Sequence, residues 1–322
     1  MQFFYSFLFS LVATAILFPP VIYFLKRLDN YDIPNSRSSH SVPTPRSGGV
    51  VVVFVSVVDY ALFDFRAPYF VFVMIPFAIL GLVDDFKKLG PKFRLMLLTL
   101  FAIAEVCFAA SNFNLIVGLI SVVFIVGFVN AWNFMDGING LSAFSSILIG
   151  TTWWILGEFG SLPVVKYVSV ILVGVGIAFA LFNAFKPMVF LGDVGAYGLG
   201  AFVSGTVVYA FYLKPYIAIL MLFALIPAMF DTTFTLLRRL LKRERLLESH
   251  RDHIYQQLID LGYSHIKVSL MYSTFIVFCG IVSVIVMKIG HLYYFLGLFG
   301  CLVLGIAYLY LPRLASNGNW LK

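Results

Sequence analysis

Charged side chains make up only 11% of the 322 residues, against about one quarter in a typical soluble domain. With 61% hydrophobic residues and a mean hydropathy of +0.97, this scarcity excludes a soluble enzyme and points to an integral membrane protein. Cysteine is sparse as well. Cys107, Cys279 and Cys301 are odd in number, lie in apolar runs and lack metal-ligand spacing, so small buried hydrophobes are expected rather than a disulfide scaffold or a zinc site. Nucleotide-binding glycine patterns are missing too, with no GxGxxG and no Walker A sequence. The first apolar run, 3–25, has neither a basic stretch before it nor a clear cleavage site, so it reads as a retained helix and not a signal peptide.

What fills the chain is apolar sequence. Segments 3–25, 50–63, 69–83, 93–110, 114–130, 140–156, 165–182, 196–213, 216–234, 266–287 and 291–311 each read as a spanning helix, eleven in all. The expected fold class is therefore all-α, a polytopic membrane protein forming a single domain over 1–322. The second and third segments fall short of the roughly 20 residues of a full span, and Asp59 and Asp64 lie there without a motif.

The basic residues orient this topology. Lys26, Arg27, Arg37, Arg46, Lys87, Lys88, Lys92, Arg94, Lys186, the seven from Arg238 to Lys267, Arg313 and Lys322 share one side, 18 of the 22 Lys and Arg. Arg66, Lys166, Lys214 and Lys288 lie on the other. By the positive-inside rule the loops near 26–49, 84–92, 131–140, 183–195 and 235–265 are expected in the cytoplasm. The net charge of +7 then reflects loops facing anionic membrane lipid, and no nucleic acid partner is expected.

Chemistry collects in those loops. In GLVDDFKKLG two adjacent carboxylates, Asp84 and Asp85, end an apolar segment, where the helix dipole disfavours them and each repels the other. Asp136 in NAWNFMDGINGL and Asp193 in FLGDVG share their expected depth on other segments, so four acids distant in sequence can converge. Each has a plain structural explanation taken singly, and Asp193 before a helix suits an ordinary cap. Together, in a chain so poor in charge, they suit a hard cation: Mg²⁺ binds through one or two carboxylates plus substrate phosphates, and Mn²⁺ can substitute. A further carboxylate could take a proton or position the attacking group.

Asn130, Asn133, Asn139 and Asn183 can donate to phosphate, sugar or base oxygens, and the neighbouring glycines allow close backbone approach. In HRDHIYQQL, His250 and His253 share one helical face with Arg251 between them; HRDH is not HExxH, so phosphate or base contacts are expected rather than zinc. The run at 238–251 also suits an amphipathic helix lying on anionic lipid.

The ordered motifs GLVDDFKKLGPKFR, NAWNFMDGINGL, FNAFKPMVFLGDVGAYGLG and HRDHIYQQL resemble those of the polyprenyl-phosphate N-acetylhexosamine-1-phosphate transferases, glycosyltransferase family 4. The loop DIPNSRSSHSVPTPRSGG, which holds Arg46, is similar to that of the branch initiating O-antigen and capsule synthesis. The resemblance implies transfer of a sugar 1-phosphate from a UDP-sugar to undecaprenyl phosphate in the bacterial cytoplasmic membrane, with UMP released. It implies Asp193 as the Mg²⁺ ligand, Asp84 and Asp85 as the essential pair, Asp136 as a further catalytic acid, and Arg46, Lys92, Asn133, Asn183, His250, Arg251 and His253 on the substrates. A homodimer is compatible with it.

Two departures bear on this. Ala196 stands where the family's GDxGS has serine, which removes a hydroxyl and leaves the metal carboxylate. Arg251 and Asp252 separate the histidines, unlike the three-histidine form of the pentapeptide transferase, which favours surface-glycan initiation over a peptide-bearing sugar, and the O-antigen-like loop favours a 6-deoxy donor such as FucNAc or QuiNAc. A UDP-GlcNAc-specific transferase is the alternative within the family. Outside it stand a transporter of a polar or anionic solute, which would place its motifs at mid-membrane, and a scaffold that binds lipid without catalysis.

Overall fold

The computed structural model describes residues 1–34, 39–63, 69–110, 114–244 and 251–317. Arg37, Asp64, Arg66, Arg245, His250 and Lys322 lie outside the described residues. The helices are α1 (Gln2–Arg27), α2 (Gly49–Phe63), α3 (Tyr69–Lys87), α4 (Pro91–Ala109), α5 (Leu115–Met135), α6 (Leu141–Phe159) and α7 (Pro163–Asn183). They continue with α8 (Gly192–Leu213), α9 (Pro215–Phe223), α10 (Ile226–Leu241), α11 (Ile254–Asp260), α12 (His265–Ile289) and α13 (Tyr294–Asn317). One short antiparallel pairing, β1 (Tyr31–Asp32) with β2 (Thr44–Pro45), sets Tyr31 opposite Pro45.

The protein is thus all-α and polytopic. Every apolar segment named above falls on helix, and 216–234 is divided between α9 and α10, which bend by 68°. Among the described residues six helices are long and apolar enough to cross a membrane, namely α1, α5, α7, α8, α12 and α13, or seven if the bent pair counts as one span. The expected eleven exceeds that number. α2 has only 15 residues, and α4 carries Lys92, Arg94 and Glu105 within its 19, so neither meets the requirements of a span by length and composition.

α8 occupies the centre, with 89% of its apolar stretch buried, and packs against α2, α3 and α5. Its sequence GDVGAYGLGAFVSG explains why. In lipid, helices associate through close van der Waals packing that small residues permit. A Cβ on Gly49 of α2 would stand 2.3 Å from the Gly195 Cα of α8, and one on Gly81 of α3 would stand 2.2 Å from the Asp193 carbonyl oxygen. α6, α7, α1 and α12 build the other part of the bundle.

Helix ends depart from the expected loops. Asp84 and Asp85 belong to the last turn of α3 instead of following it, and Asp193 is the second residue of α8. Cys279 and Cys301 are buried as small hydrophobes, but Cys107 is exposed on α4. Asp59, fully buried, accepts hydrogen bonds from Ser6 and Ser10 and so ties α2 to α1.

Candidate functional site

Three segments bring the charged groups together. The chain after β2 runs beside the lead into α8: Phe190 N–H donates to the Pro45 carbonyl at 2.8 Å, and the N–H groups of Gly48 and Gly49 donate to Phe190 and Leu191 at 2.9 and 2.8 Å. That backbone pairing holds Arg46 next to the start of α8. Gly192, at φ +72°, turns the chain into the helix, and a Cβ there would lie 2.6 Å from Asp85 Oδ2. The tight approach explains the glycine.

Asp85 sits in this cradle with its side chain wholly enclosed. Its Oδ1 accepts from Arg46 Nε at 2.8 Å and from the Asp193 N–H at 2.9 Å. Its Oδ2 accepts from Ser47 Oγ at 2.8 Å and from the Val194 N–H at 3.3 Å. A carboxylate has about four acceptor positions, so Asp85 is saturated. It caps the α8 N-terminus from another helix, the favourable end of the dipole, which explains an acid that its own helix disfavours.

Asp84 faces elsewhere. Its Oδ1 accepts the Leu89 N–H at 2.6 Å, closing the turn after α3, and its Oδ2 takes Arg94 Nη1 at 2.7 Å and the Tyr197 hydroxyl at 3.2 Å. Asp193 meets Arg46 Nη2 through Oδ2 at 3.0 Å, with its side chain 13% exposed. Burial would lower the Arg46 pKa, but Asp193 and Asp85 outweigh it and raise it, so the guanidinium stays charged.

Asp136 caps the C-terminus of α5 and accepts from Ser142 Oγ at 2.6 Å. Burial, reinforced by the charges of Asp193 and Asp85 and opposed by the Ser142 hydrogen bond, pushes its carboxyl up to about 8. The four acids and Arg46 therefore share one electrostatic neighbourhood.

Beside them lies a cavity of about 700 Å³. Its lining is mixed, with polar groups from Arg94, Asn130, Asn133, His253 and Gln256 and apolar ones from Leu95, Val122 and Val126. Asn133 and Gly137 flank Asp136 in sequence and line the cavity, and Arg94 joins it to Asp84.

Other expected substrate residues are placed differently. Lys92 is exposed on the first turn of α4 and does not line the cavity, whereas Arg94 does. Asn183 accepts the Gly140 N–H at 2.7 Å and donates to the Val189 carbonyl at 3.1 Å, so its amide joins two loops. Arg251 pairs with Asp260 at 2.6 Å. His253 is buried and meets Asp231 Oδ1 at 3.3 Å.

Ser47, Arg94, Ser142, Tyr197 and Asp231 escaped the sequence reading. A signal existed for Asp231, since Asp231, Thr235, Arg238 and Arg239 recur at the i, i+4, i+7 and i+8 positions of one helical face.

Among the described residues no three His, Cys, Asp or Glu side chains form a metal-holding group. Mg²⁺ bound through substrate phosphates needs only one or two carboxylates. Asp193, partly exposed beside the saturated Asp85, fits that requirement.

Residues 67–211 match the family model of Glycosyl transferase family 4, a stretch that includes all four acids. A Bacillus subtilis protein described as an undecaprenyl-phosphate N-acetylglucosaminyl 1-phosphate transferase is 26% identical over 303 residues, covering 88% of this chain and 84% of its own length. The undecaprenyl-phosphate alpha-N-acetylglucosaminyl 1-phosphate transferase of Thermotoga maritima is 28% identical over 312 residues, covering 92% and 94%. A Methanocaldococcus jannaschii protein described as a glycosyltransferase is 30% identical over 221 residues, covering 66% of this chain and 72% of its own. The acids that converge on the α8 N-terminus fall within the matched stretch, and the chain belongs to glycosyl transferase family 4.

Proposed function

We propose that the protein transfers an N-acetylhexosamine 1-phosphate from a UDP-sugar to undecaprenyl phosphate at the cytoplasmic face of a bacterial inner membrane. One observation carries this reading: Arg94, paired with Asp84, lines a cavity of mixed polar and apolar side chains, and Arg46 joins the neighbouring Asp85 and Asp193. Such a groove suits an acceptor with a phosphate head and an isoprenoid tail. A solute transporter has no need of that lining, and its motifs would lie along a mid-membrane route.

In the reaction an oxygen of the lipid phosphate attacks the sugar-linked phosphorus of the donor. The bond from that phosphorus to the oxygen bridging it to UMP breaks, and UMP leaves with that oxygen. Mg²⁺, held by Asp193 and the donor diphosphate, would supply neutralising charge at the reacting phosphorus. Asp85, its acceptor positions filled, holds Arg46 and the α8 N-terminus in register. Asp84 orients Arg94 toward the cavity and, with three donors upon it among the described residues, keeps an acceptor position for a phosphate proton. Asp136, protonated near neutral pH, can donate a hydrogen bond to a substrate oxygen. Asn133, His253 and Arg251 contact the donor in this reading, together with His250.

Purified protein should release UMP from a UDP-N-acetylhexosamine only with undecaprenyl phosphate and Mg²⁺ both present, and Asp193→Asn should abolish release in a folded protein. Substrate flux without conversion, or near-normal turnover by that variant, would overturn the reading. A donor panel settles the sugar: the names of two relatives carry N-acetylglucosaminyl, whereas the first cytoplasmic loop favours FucNAc or QuiNAc.

A further inference from the structure

His265, the first residue of α12, joins two loops that carry charged groups of the site. Its Nδ1 accepts the Asn139 N–H at 3.3 Å, and its Nε2 meets the Ser39 carbonyl at 2.8 Å. One turn along α12, Ser269 Oγ donates to the Asn139 carbonyl at 2.8 Å, so the helix grips both backbone groups of one loop residue. Asn139 follows closely on Asp136 in the chain. On the other side of Asp136 the Tyr255 hydroxyl donates to the Phe134 carbonyl, and a Cβ on Gly137 would stand 2.3 Å from that hydroxyl. The Asp136 carboxyl is thus carried by a short stretch of backbone pinned from α11 at one end and from α12 at the other.

Both partners of the imidazole are backbone groups with fixed roles. An N–H only donates and a carbonyl only accepts, so Nδ1 carries the lone pair, Nε2 carries the proton, and the ring is neutral. In that one tautomer it satisfies two loops at once. Ser39 belongs to the connection that also holds Arg46: next to it the His40 ring lies against Phe190, with centroids 4.9 Å apart, and the Phe190 N–H donates to the Pro45 carbonyl. His265 therefore links the loop of Asp136 to the segment that sets Arg46 on Asp85 and Asp193.

We propose that His265 is a positioning residue for the transfer site, setting Asp136 relative to Arg46 and Asp193 by tying the Asn139 backbone to the Ser39 carbonyl. This rests on the transferase reading given above, and His265 acts through the two loops without touching substrate. A rigid ring with two opposed polar atoms suits the task, because misplacement of a group by about 1 Å at a reacting centre costs about a hundredfold in rate.

The test uses the full-length, detergent-purified chain, read by UMP-release kinetics and by hydrogen exchange. His265→Phe keeps the ring and removes both contacts. His265→Asn keeps an acceptor near the Nδ1 position but loses the reach to Ser39, and His265→Gln keeps a donor near the Nε2 position but loses the acceptor for Asn139. Ser264→Ala is the structural comparator: it removes the hydroxyl that accepts the Lys267 N–H and caps α12, loosening the helix start without touching either loop. The kcat per folded protein should fall by about tenfold or more in His265→Phe and by less in the other two His265 variants, with both KM values within about twofold, whereas Ser264→Ala should stay within about twofold of the unsubstituted protein. Exchange of the Asn139 amide needs no turnover: it should run about tenfold faster in His265→Phe and His265→Gln and stay near normal in His265→Asn. Unchanged kcat in His265→Phe, a matching loss in Ser264→Ala, or equal exchange in His265→Asn and His265→Gln would each overturn the proposal, and the last comparison holds even if His265→Phe does not fold. If the unsubstituted protein releases no UMP from any donor, the transferase reading itself has failed, and the exchange pattern still decides whether His265 pins the loop.

Discussion

The carboxylate of Asp85, in the last turn of α3, accepts the backbone N–H of Asp193 at 2.9 Å across 108 residues of sequence. One oxygen of one acid thereby fixes where a second acid stands, and Arg46 spans both. The neighbours of this pair yield specific expectations.

Asp85→Ala should lower stability by about 3 kcal/mol, because it leaves two α8 N–H groups without their acceptor and the half-buried Arg46 with Asp193 alone. Asp193→Asn, at a more open position, should leave the melting midpoint close to that of the unsubstituted protein. Thermal unfolding of both variants in one detergent checks the contrast; equal midpoints would mean that Asp85 does not anchor α8.

Gly81→Ala is expected to impair both stability and turnover. Its Cβ would stand 2.2 Å from the Asp193 carbonyl oxygen and 2.6 Å from the Val194 nitrogen. Those are backbone atoms of a central helix, so α3 and α8 must separate, at about 1–3 kcal/mol and about a tenfold or greater loss of rate through misplacement of the site. Gly90→Ala, with nothing within 4 Å, is the matched control and should behave like the unsubstituted protein.

Arg94 and Lys92 separate the roles of two nearby cations. Arg94→Ala strips Asp84 of its 2.7 Å partner at the cavity wall, and UMP release should fall by about a hundredfold. Lys92→Ala changes an exposed side chain and should stay within about twofold of normal, the scale of a surface substitution. The reverse ranking would restore Lys92 to the substrate.

Asp136 sets a pH dependence. Burial first, then Asp193 and Asp85, push its carboxyl up to about 8, so the folded protein keeps a proton that an unfolded chain releases near about 4. The stability this group contributes is complete below about 4 and is lost as pH rises through about 8. Asp136→Asn cannot ionise, so its melting midpoint relative to the unsubstituted protein should climb between about pH 4 and about pH 8 and level off above that. A constant or falling difference would show that Asp136 is not held protonated.

The acids were legible because charge stands out in an apolar chain, and a carboxylate placed against a helix dipole demands a partner. Their division of labour was not. Asp84 and Asp85 are identical in type and adjacent in sequence, yet one faces Arg94 and the other the α8 N-terminus, since successive side chains on a helix diverge by about 100°. Asn183 is expected on the substrates because its motif adjoins Asp193, and the sequence does not tell what holds its amide. Its partners, Gly140 and Val189, come from loops whose meeting depends on how α6, α7 and α8 pack. Helix positions were read well from hydropathy, whereas helix ends shifted because capping by distant residues extends α3 and starts α8 early. The number of crossings is sensitive to the same ends, and to polar groups such as Glu105 that another helix can shelter.

The sequence by itself determined that this chain is a helical membrane protein, with its acids and bases at the ends of apolar segments, because hydropathy and charge are summed locally. Only the tertiary structure decided which acids are enclosed and which retain open acceptor positions, that Arg46 bridges two of them, and that Asp231 meets His253. Those outcomes depend on hydrogen bonds between residues far apart in the chain, whose geometry exists only once the helices around α8 have closed upon one another.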